Sequence, residues 1–200
     1  IFGAYFCIKG SLTEGEYLAF ISYNSMLVWP IRQLGRMISE MSKAGVSIDL
    51  INRNKSHIEA LKTQGAQVVG TVQFTQPVVA YTPEEMSGQY DILFLMTKQQ
   101  HNAEVATRLK DFLAPDGVLV TFQNGLPEVL LASILGKERV LGCTVAWGAT
   151  MQSAGVCELT SEPDALSFSL GAISPNRSKH FDKVKELLEQ TKKKIGYGAK

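Results

Sequence analysis

Residues 90–125 read "YDILFLMTKQQHNAEVATRLKDFLAPDGVLVTFQNG", and this stretch decides the fold. Its opening, "YDILFLMT" (90–97), is a nearly continuous apolar run, as a central parallel strand covered on both faces requires. Val105, Leu109, Phe112 and Leu113 then fall on one face of a helix that closes in a Pro-Asp-Gly turn. "VLVTFQNG" (118–125) is the next buried strand. Strand, helix and strand in close succession imply a parallel, doubly wound α/β sheet.

The same alternation continues on both sides. Upstream, "IDLINRN" (48–54) is a strand, "KSHIEALKTQG" a short helix closed by Gly65, and "AQVVG" and "PVVAY" are strands or edge segments. "TPEEM" predicts a helix start, with Thr82 as cap, Pro83 in the first turn and two acids behind it. Downstream, "LPEVLLASILG" is a helix closed by Gly136, and "RVLGCTVAWGAT" is a strand. "GVCELTSEPDALSFSLG" reads as short antiparallel strands. "SKHFDKVKELLEQTKKK" is a helix with Phe181, Val184, Leu187 and Leu188 inward.

In such sheets ligands sit beyond the carboxyl ends of the strands. Three strand ends carry polar residues in apolar surroundings: Asn52-Arg53, Thr97-Lys98 and Gln123-Asn124-Gly125. Taken singly, each has a plain structural reading. Arg53 suits a solvated strand end, and Asn-Gly is a common turn pair. Lys98 is harder to dismiss, because it emerges where a cofactor would lie. Their coincidence outweighs any one of them.

Composition narrows the partners. The chain has 200 residues, 45% apolar and 20% charged, with a formal net charge of +1. That is ordinary for a globular chain and argues against nucleic acid or another polyanion as partner. Cys7, Cys143 and Cys157 form no disulfide framework, which fits a reducing compartment such as the cytoplasm. His57, His101 and His180 are scattered without metal-ligand spacing, so no metal site is expected. A signal peptide's charged n-region is missing, and a chain that opens at Ile1 reads as a fragment.

Residues 1–48 read as a different kind of protein. Thr13 can cap a helix with Glu14 and Glu16 in its first turn. The pattern stays helical over residues 17–43, with a kink at Pro30. Residues 17–34, "YLAFISYNSMLVWPIRQL", hold one charge and approach the length of a membrane span, though Ser22, Asn24, Ser25 and Arg32 dilute them. A membrane helix facing polar neighbours and a long amphipathic soluble helix both fit. Membrane association through residues 14–43 is thus one of two open readings. "GSLTEGEYLAFISYNSMLVWPIRQLGRMISEMSKAGVSID" resembles the last transmembrane helix of ATP-binding-cassette exporters, which carry G-x-L-T-x-G and P-x-R-Q-L-G patterns. No GxxxxGK followed by Ser or Thr occurs, so the ATPase motor has no counterpart.

Residues 50–190 carry a second resemblance. "LINRN", "DILFLMTK", "VTFQNG" and "GCTVAWGATMQSAGV" occur in the order found in ketopantoate reductase (2-dehydropantoate 2-reductase), in its nucleotide-binding domain. The resemblance implies NADP as cofactor and ketopantoate as substrate. It places Arg53 on the 2′-phosphate, Lys98 against the cofactor's inner half, and Asn124 between nicotinamide and substrate. Ala149, beside Gly148, would let the backbone approach the cofactor.

The same resemblance expects a strand and G-x-G-x-x-G ahead of "SIDLINRN". Gly35 falls near the third glycine, but Pro30 and Arg32 occupy the other two positions. The expected fold is therefore a Rossmann-like doubly wound parallel sheet lacking its first strand and glycine loop. It would occupy residues 49–200, preceded by a long apolar helix in residues 1–48, with a chimeric joint near residues 43–50. The family's catalytic Lys and Glu belong to a helical C-terminal domain. Lys192, Lys193 and Lys194 read as a solvated charge run, and no catalytic residue is assigned. Three functions follow: a reductase fragment, an exporter membrane fragment with a reductase-like appendage, and a non-catalytic nucleotide-binding protein.

The leading reading predicts no measurable ketopantoate reduction by this chain alone, since a general acid typically contributes about 10²–10⁴-fold. Ketopantoate-dependent NADPH oxidation at roughly 1 s⁻¹ or faster would contradict it.

Overall fold

The computed structural model describes residues 48–197 apart from 147, 163, 164, 166 and 176–178. The exporter-like helix expected over residues 14–43 lies outside the described residues. So does the glycine-loop region around Gly35. Among the described residues, no helix is long and apolar enough to cross a membrane.

The chain alternates strands and helices, as its periodicity predicts. Strand β1 (Asp49–Ile51) leads to helix α1 (Lys55–Gln64), then β2 (Ala66–Gly70), β3 (Phe74–Gln76) and β4 (Val79–Tyr81). Next come β5 (Tyr90–Leu95), α2 (Asn102–Leu109), β6 (Leu113–Thr121), α3 (Glu128–Leu135) and β7 (Val140–Val145). Strands β8 (Ala149–Ser153), β9 (Val156–Leu159) and β10 (Phe168–Ala172) precede the last helix, α4 (Phe181–Tyr197).

The principal sheet has the order β10-β7-β6-β5. Strands β7, β6 and β5 are parallel, with Leu95 opposite Thr121 and Thr121 opposite Gly142, while β10 runs antiparallel on β7. In β6, Val118, Leu119, Val120 and Thr121 are fully buried. Alternation sends Val118 and Val120 to one face, where they pack with Phe122 and with Phe181, Val184, Leu187 and Leu188 of α4. Leu119 points the other way, among Leu95, Ala106, Leu131 and Leu135. Each such aliphatic side chain contributes about 1.5–3 kcal/mol by leaving water. The inward face expected of the last helix is the one observed.

Four local expectations are corrected. Helix α2 stops at Leu109, and Leu113 belongs to β6 rather than to the helix. The sheet takes these residues: the Phe112 carbonyl accepts from the Tyr90 amide at 2.8 Å, and Leu113 pairs with Tyr90. The Pro-Asp-Gly triplet forms no turn but a break in β6 register between Tyr90 and Ile92. Arg139 takes up the freed carbonyls there, donating from Nε to Gly117 at 3.1 Å and from Nη2 to Ala114 at 2.5 Å. "TPEEM" makes only one 3₁₀ turn, Pro83–Glu85, since Met86 turns extended and is buried. Finally, "RVLGCTVAWGAT" is split: β7 ends at Val145, and β8 belongs to a second sheet of order β3-β2-β9-β8. In that sheet β9 is antiparallel to β8 but parallel to β2.

Strand β1 pairs with β4 in parallel, as a two-stranded sheet. Its cluster is Leu50, Ile58, Leu61, Ala66 and Ala80. Among the described residues, no strand pairs with both β1 and β5. One side-chain bond joins them instead: the Tyr90 hydroxyl donates to Asp49 Oδ2 at 2.8 Å. Ile92, Leu93 and Phe94 of β5 are correspondingly only half-buried.

Helix α1 is tied to the second sheet through His57, whose Nδ1 accepts from the Gly155 amide at 3.0 Å. Burial lowers the His57 pKa below its ordinary 6.5. The neutral ring is thus the form the fold holds, and only that form can accept at Nδ1. Its contribution is complete above pH 6.5 and is lost as pH falls through the lowered folded-state value. Urea unfolding at stepped pH below 6.5 should show the wild type losing stability relative to His57→Gln, with the gap constant above 6.5.

Candidate functional site

The C-terminal ends of β5 and β6 lie side by side because the strands are parallel neighbours. Phe122 donates its amide to the Leu95 carbonyl at 3.0 Å, which extends the ladder one step past β6. Beyond that point Thr97-Lys98 and Gln123-Asn124 leave on adjacent tips. Lys98 is half-buried, and Asn124 is exposed. The structure therefore brings Lys98 and Asn124 together as neighbouring tips.

Between the tips lies a buried polar network. Gln123 is 6% exposed and Asn102, the first residue of α2, 1%. Gln123 Nε2 donates to the Thr97 carbonyl at 2.6 Å and to Asn102 Oδ1 at 2.9 Å. Its Oε1 accepts from Asn102 Nδ2 at 2.8 Å and from the Thr121 hydroxyl at 3.3 Å. Polar groups this deep cost free energy unless bonded, and here both amides find partners. Residues Asn102 and Thr97 were not among the expected site residues. Twenty-one positions separate the two amides, and no sequence spacing reports on such a pair.

The following loop turns sharply. Gly125 has φ +86°, a conformation that L side chains rarely adopt, and Gln99 lies across it, its Nε2 2.9 Å from where a Cβ would stand. Leu126 is also left-handed, with φ +57°, and its side chain is 82% exposed.

Arg53 leaves the end of β1. Asn52 donates its amide to the Tyr81 carbonyl at 3.1 Å, and its Oδ1 accepts from the Asn54 amide at 2.8 Å. Asn54 in turn caps α1, accepting from the His57 amide. This tight strand-to-helix turn leaves Arg53 exposed, and among the described residues neither Arg53 nor Lys98 makes an ion pair. No acid stands at this tip. The Tyr90–Asp49 bond joins the first residues of β1 and β5, so both parallel pairs present their C-terminal ends away from it.

Ala149 opens β8 opposite Leu159, buried in the main core. The close approach at its neighbour Gly148 is made by the chain itself: the Gly148 amide donates to Ser161 Oγ at 2.6 Å.

At another corner the fold assembles Asp91, Asp116 and His180, with potential ligand atoms all within 4.8 Å. Scattered sequence positions do not reveal this grouping. Lys179 already pairs with Asp116 and holds that carboxyl below its usual pKa. The corner works as a charged tie between the start of α4 and the break in β6.

Comparison with known proteins gives two kinds of similarity. The family described as Ketopantoate reductase PanE/ApbA matches residues 34–172. A curated relative, 2-dehydropantoate 2-reductase of Streptococcus pyogenes serotype M6 (strain ATCC BAA-946 / MGAS10394), is 22% identical over 152 residues, 76% of this chain and 48% of that protein. The crystal structure of 2-dehydropantoate 2-reductase from Geobacter metallireducens GS-15 superposes with a TM-score of 0.65 at 25% identity, covering 78% of this chain and 51% of that one. The chain spans about half the length of the curated reductases it matches. Similarity of the second kind is partial: a probable multidrug resistance ABC transporter ATP-binding/permease protein of Bacillus subtilis (strain 168) is 25% identical over 103 residues, 50% of this chain and 18% of that protein. The family match reaches back to residue 34, ahead of the joint expected near residues 43–50.

Gly125→Ala should cost about 1–2 kcal/mol in urea unfolding, the usual penalty for a left-handed non-glycine residue. An unchanged midpoint would mean that the loop can leave its φ +86° geometry freely.

Proposed function

The chain belongs to the ketopantoate reductase PanE/ApbA family, and from that premise we propose that it supplies the NADPH-binding part of a 2-oxo acid reductase acting on ketopantoate. The observation that carries this reading is the pair of neighbouring tips, Lys98 and Asn124, set on a buried polar network at the carboxyl end of a parallel sheet. That end is where dinucleotides bind in doubly wound folds.

The residues present fit a 2′-phosphorylated cofactor. Arg53 is exposed at the tip of β1, and a guanidinium matches a phosphate in both charge and fork geometry. An Asp or Glu there would instead hold the ribose hydroxyls of NAD and repel the phosphate. Asn52 spends its Oδ1 on the Asn54 amide. Lys98 offers a cation to the cofactor's inner half, and Asn124 an amide that can donate to the substrate carbonyl and accept from the nicotinamide side. Bound NADPH supplies hydride to the ketone carbon. With a proton on the resulting alkoxide oxygen, the products are pantoate and NADP⁺. Support for Ala149 as a cofactor contact is confined to the family resemblance. The reading of residues 1–48 as an exporter-like segment rests on their sequence resemblance, beside a partial transporter similarity that covers half of this chain.

Direct titration of the chain with NADPH and with NADH tests the reading. Removing one charge-assisted contact typically changes affinity by roughly tenfold to a hundredfold. Arg53→Ala should weaken NADPH binding by that factor and leave NADH nearly unchanged, while Lys98→Ala should weaken both. Equal losses for the two cofactors on Arg53→Ala would make Arg53 a mere strand-end residue. A chain that binds neither cofactor would remove the proposal.

A further inference from the structure

We infer that Gln123 and Asn102 are positioning residues, a buried amide clamp that sets Lys98 and Asn124 at a fixed separation. The inference rests on the cofactor reading above for its purpose, but not for its geometry.

Gln123 is covalently next to Asn124. Through Nε2 it holds the carbonyl of Thr97, the residue before Lys98, at 2.6 Å. Through both ends of its amide it holds Asn102, at 2.8 and 2.9 Å. Residues 97 and 102 are the two ends of the short segment 98–101, which contains the 3₁₀ turn Gln99–His101. One side chain therefore staples both ends of the segment that carries Lys98, and does so from the strand that carries Asn124.

The orientation of this amide is determined. A primary amide has two hydrogens and two acceptor directions. Gln123 uses the hydrogens on Thr97 and Asn102, and the acceptor positions on Asn102 and Thr121. Flipping either amide would set donor against donor. A pair of apolar side chains could fill the same space, yet could not fix the distance or the direction between the tips. Gln99 lies across Gly125 on the neighbouring loop. Two site residues that must meet one small ligand together require such a frame, since misplacement by about 1 Å can cost on the order of 10²-fold.

The test compares Gln123→Leu with the double variant Asn102→Leu, Gln123→Leu in the full chain. The single variant leaves a buried amide unpaired and should lower the thermal midpoint. Replacing both partners by apolar groups of similar shape is far less costly, so the double variant should recover most of that loss. Two readouts follow each protein. Amide hydrogen exchange at residues 98–101 and 124–126 should rise in both variants, roughly tenfold or more, for loss of a bond of this class. NADPH affinity should fall by a similar factor and stay low in the double variant although stability returns. Affinity that returns with stability would overturn the positioning role, and so would exchange that rises in one loop but not the other. A wild-type chain with no NADPH affinity would overturn the cofactor reading instead, while the exchange data would still decide whether the clamp couples the loops.

Discussion

The structure depends on one strand being dry on both faces. Val118 to Thr121 of β6 are fully buried, and a strand in that position can exchange hydrogen bonds only with other strands. Parallel neighbours on each side, β5 and β7, satisfy its backbone. Alternation hands Val118 and Val120 to α4 and Leu119 to α2 and α3. Both layers of helix are thus recruited by four consecutive residues. Every parallel strand must then be reached by a crossover, which sends all the carboxyl ends to one side of the sheet. The location of the site follows from the burial of β6 before any site residue is considered.

The polar tips follow from the same burial. A strand that leaves a dry core must turn from apolar to polar within a residue or two. Thr121 and Gln123 are the residues that do so in β6, and they remain buried while doing it. Their hydrogen bonds cannot go to water, so they go to Thr97 and Asn102 on the neighbouring strand and helix. Only past this network does the chain reach solvent, at Asn124. The network is a structural necessity of the sheet edge, and it makes the two adjacent tips into one rigid object.

Much of this was legible in the sequence, for identifiable reasons. Runs such as "ILFLM" and "VLVTF" announce strands covered on both faces, and the 3.6-residue spacing of Phe181, Val184, Leu187 and Leu188 announces the buried face of α4. Arg53, Lys98 and Asn124 were legible because polar residues at the ends of apolar runs stand out. Boundaries set by tertiary contacts were not. Leu113 keeps helical spacing with Val105 and Leu109, but its backbone is taken by Tyr90. Pro-Asp-Gly has turn chemistry, yet Arg139, more than twenty residues away, takes the carbonyls of Gly117 at its end and of Ala114 just before it. Asn102 carries the signal of a helix-start residue, and nothing local says that it faces a glutamine on another element. Ala149 was legible as part of a motif, but not as a residue packed in the core.

The parallel strands are divided between the pair β1-β4 and the run β5-β6-β7. Leu50, Ile58, Leu61, Ala66 and Ala80 form a cluster of their own. Ile48 packs against both clusters. Strand β2 contributes Ala66 to one and Val68 to the other. The Tyr90–Asp49 and His57–Gly155 bonds, the ladder of β2 on β9 and the contact of Arg108 with the Pro83 carbonyl also cross between them. Cooperativity between two regions is only as strong as the free energy that crosses their boundary. Arg53 alone of the three tip residues leaves the β1-β4 sheet, so it is carried by a different apolar cluster from the one that underlies Lys98 and Asn124.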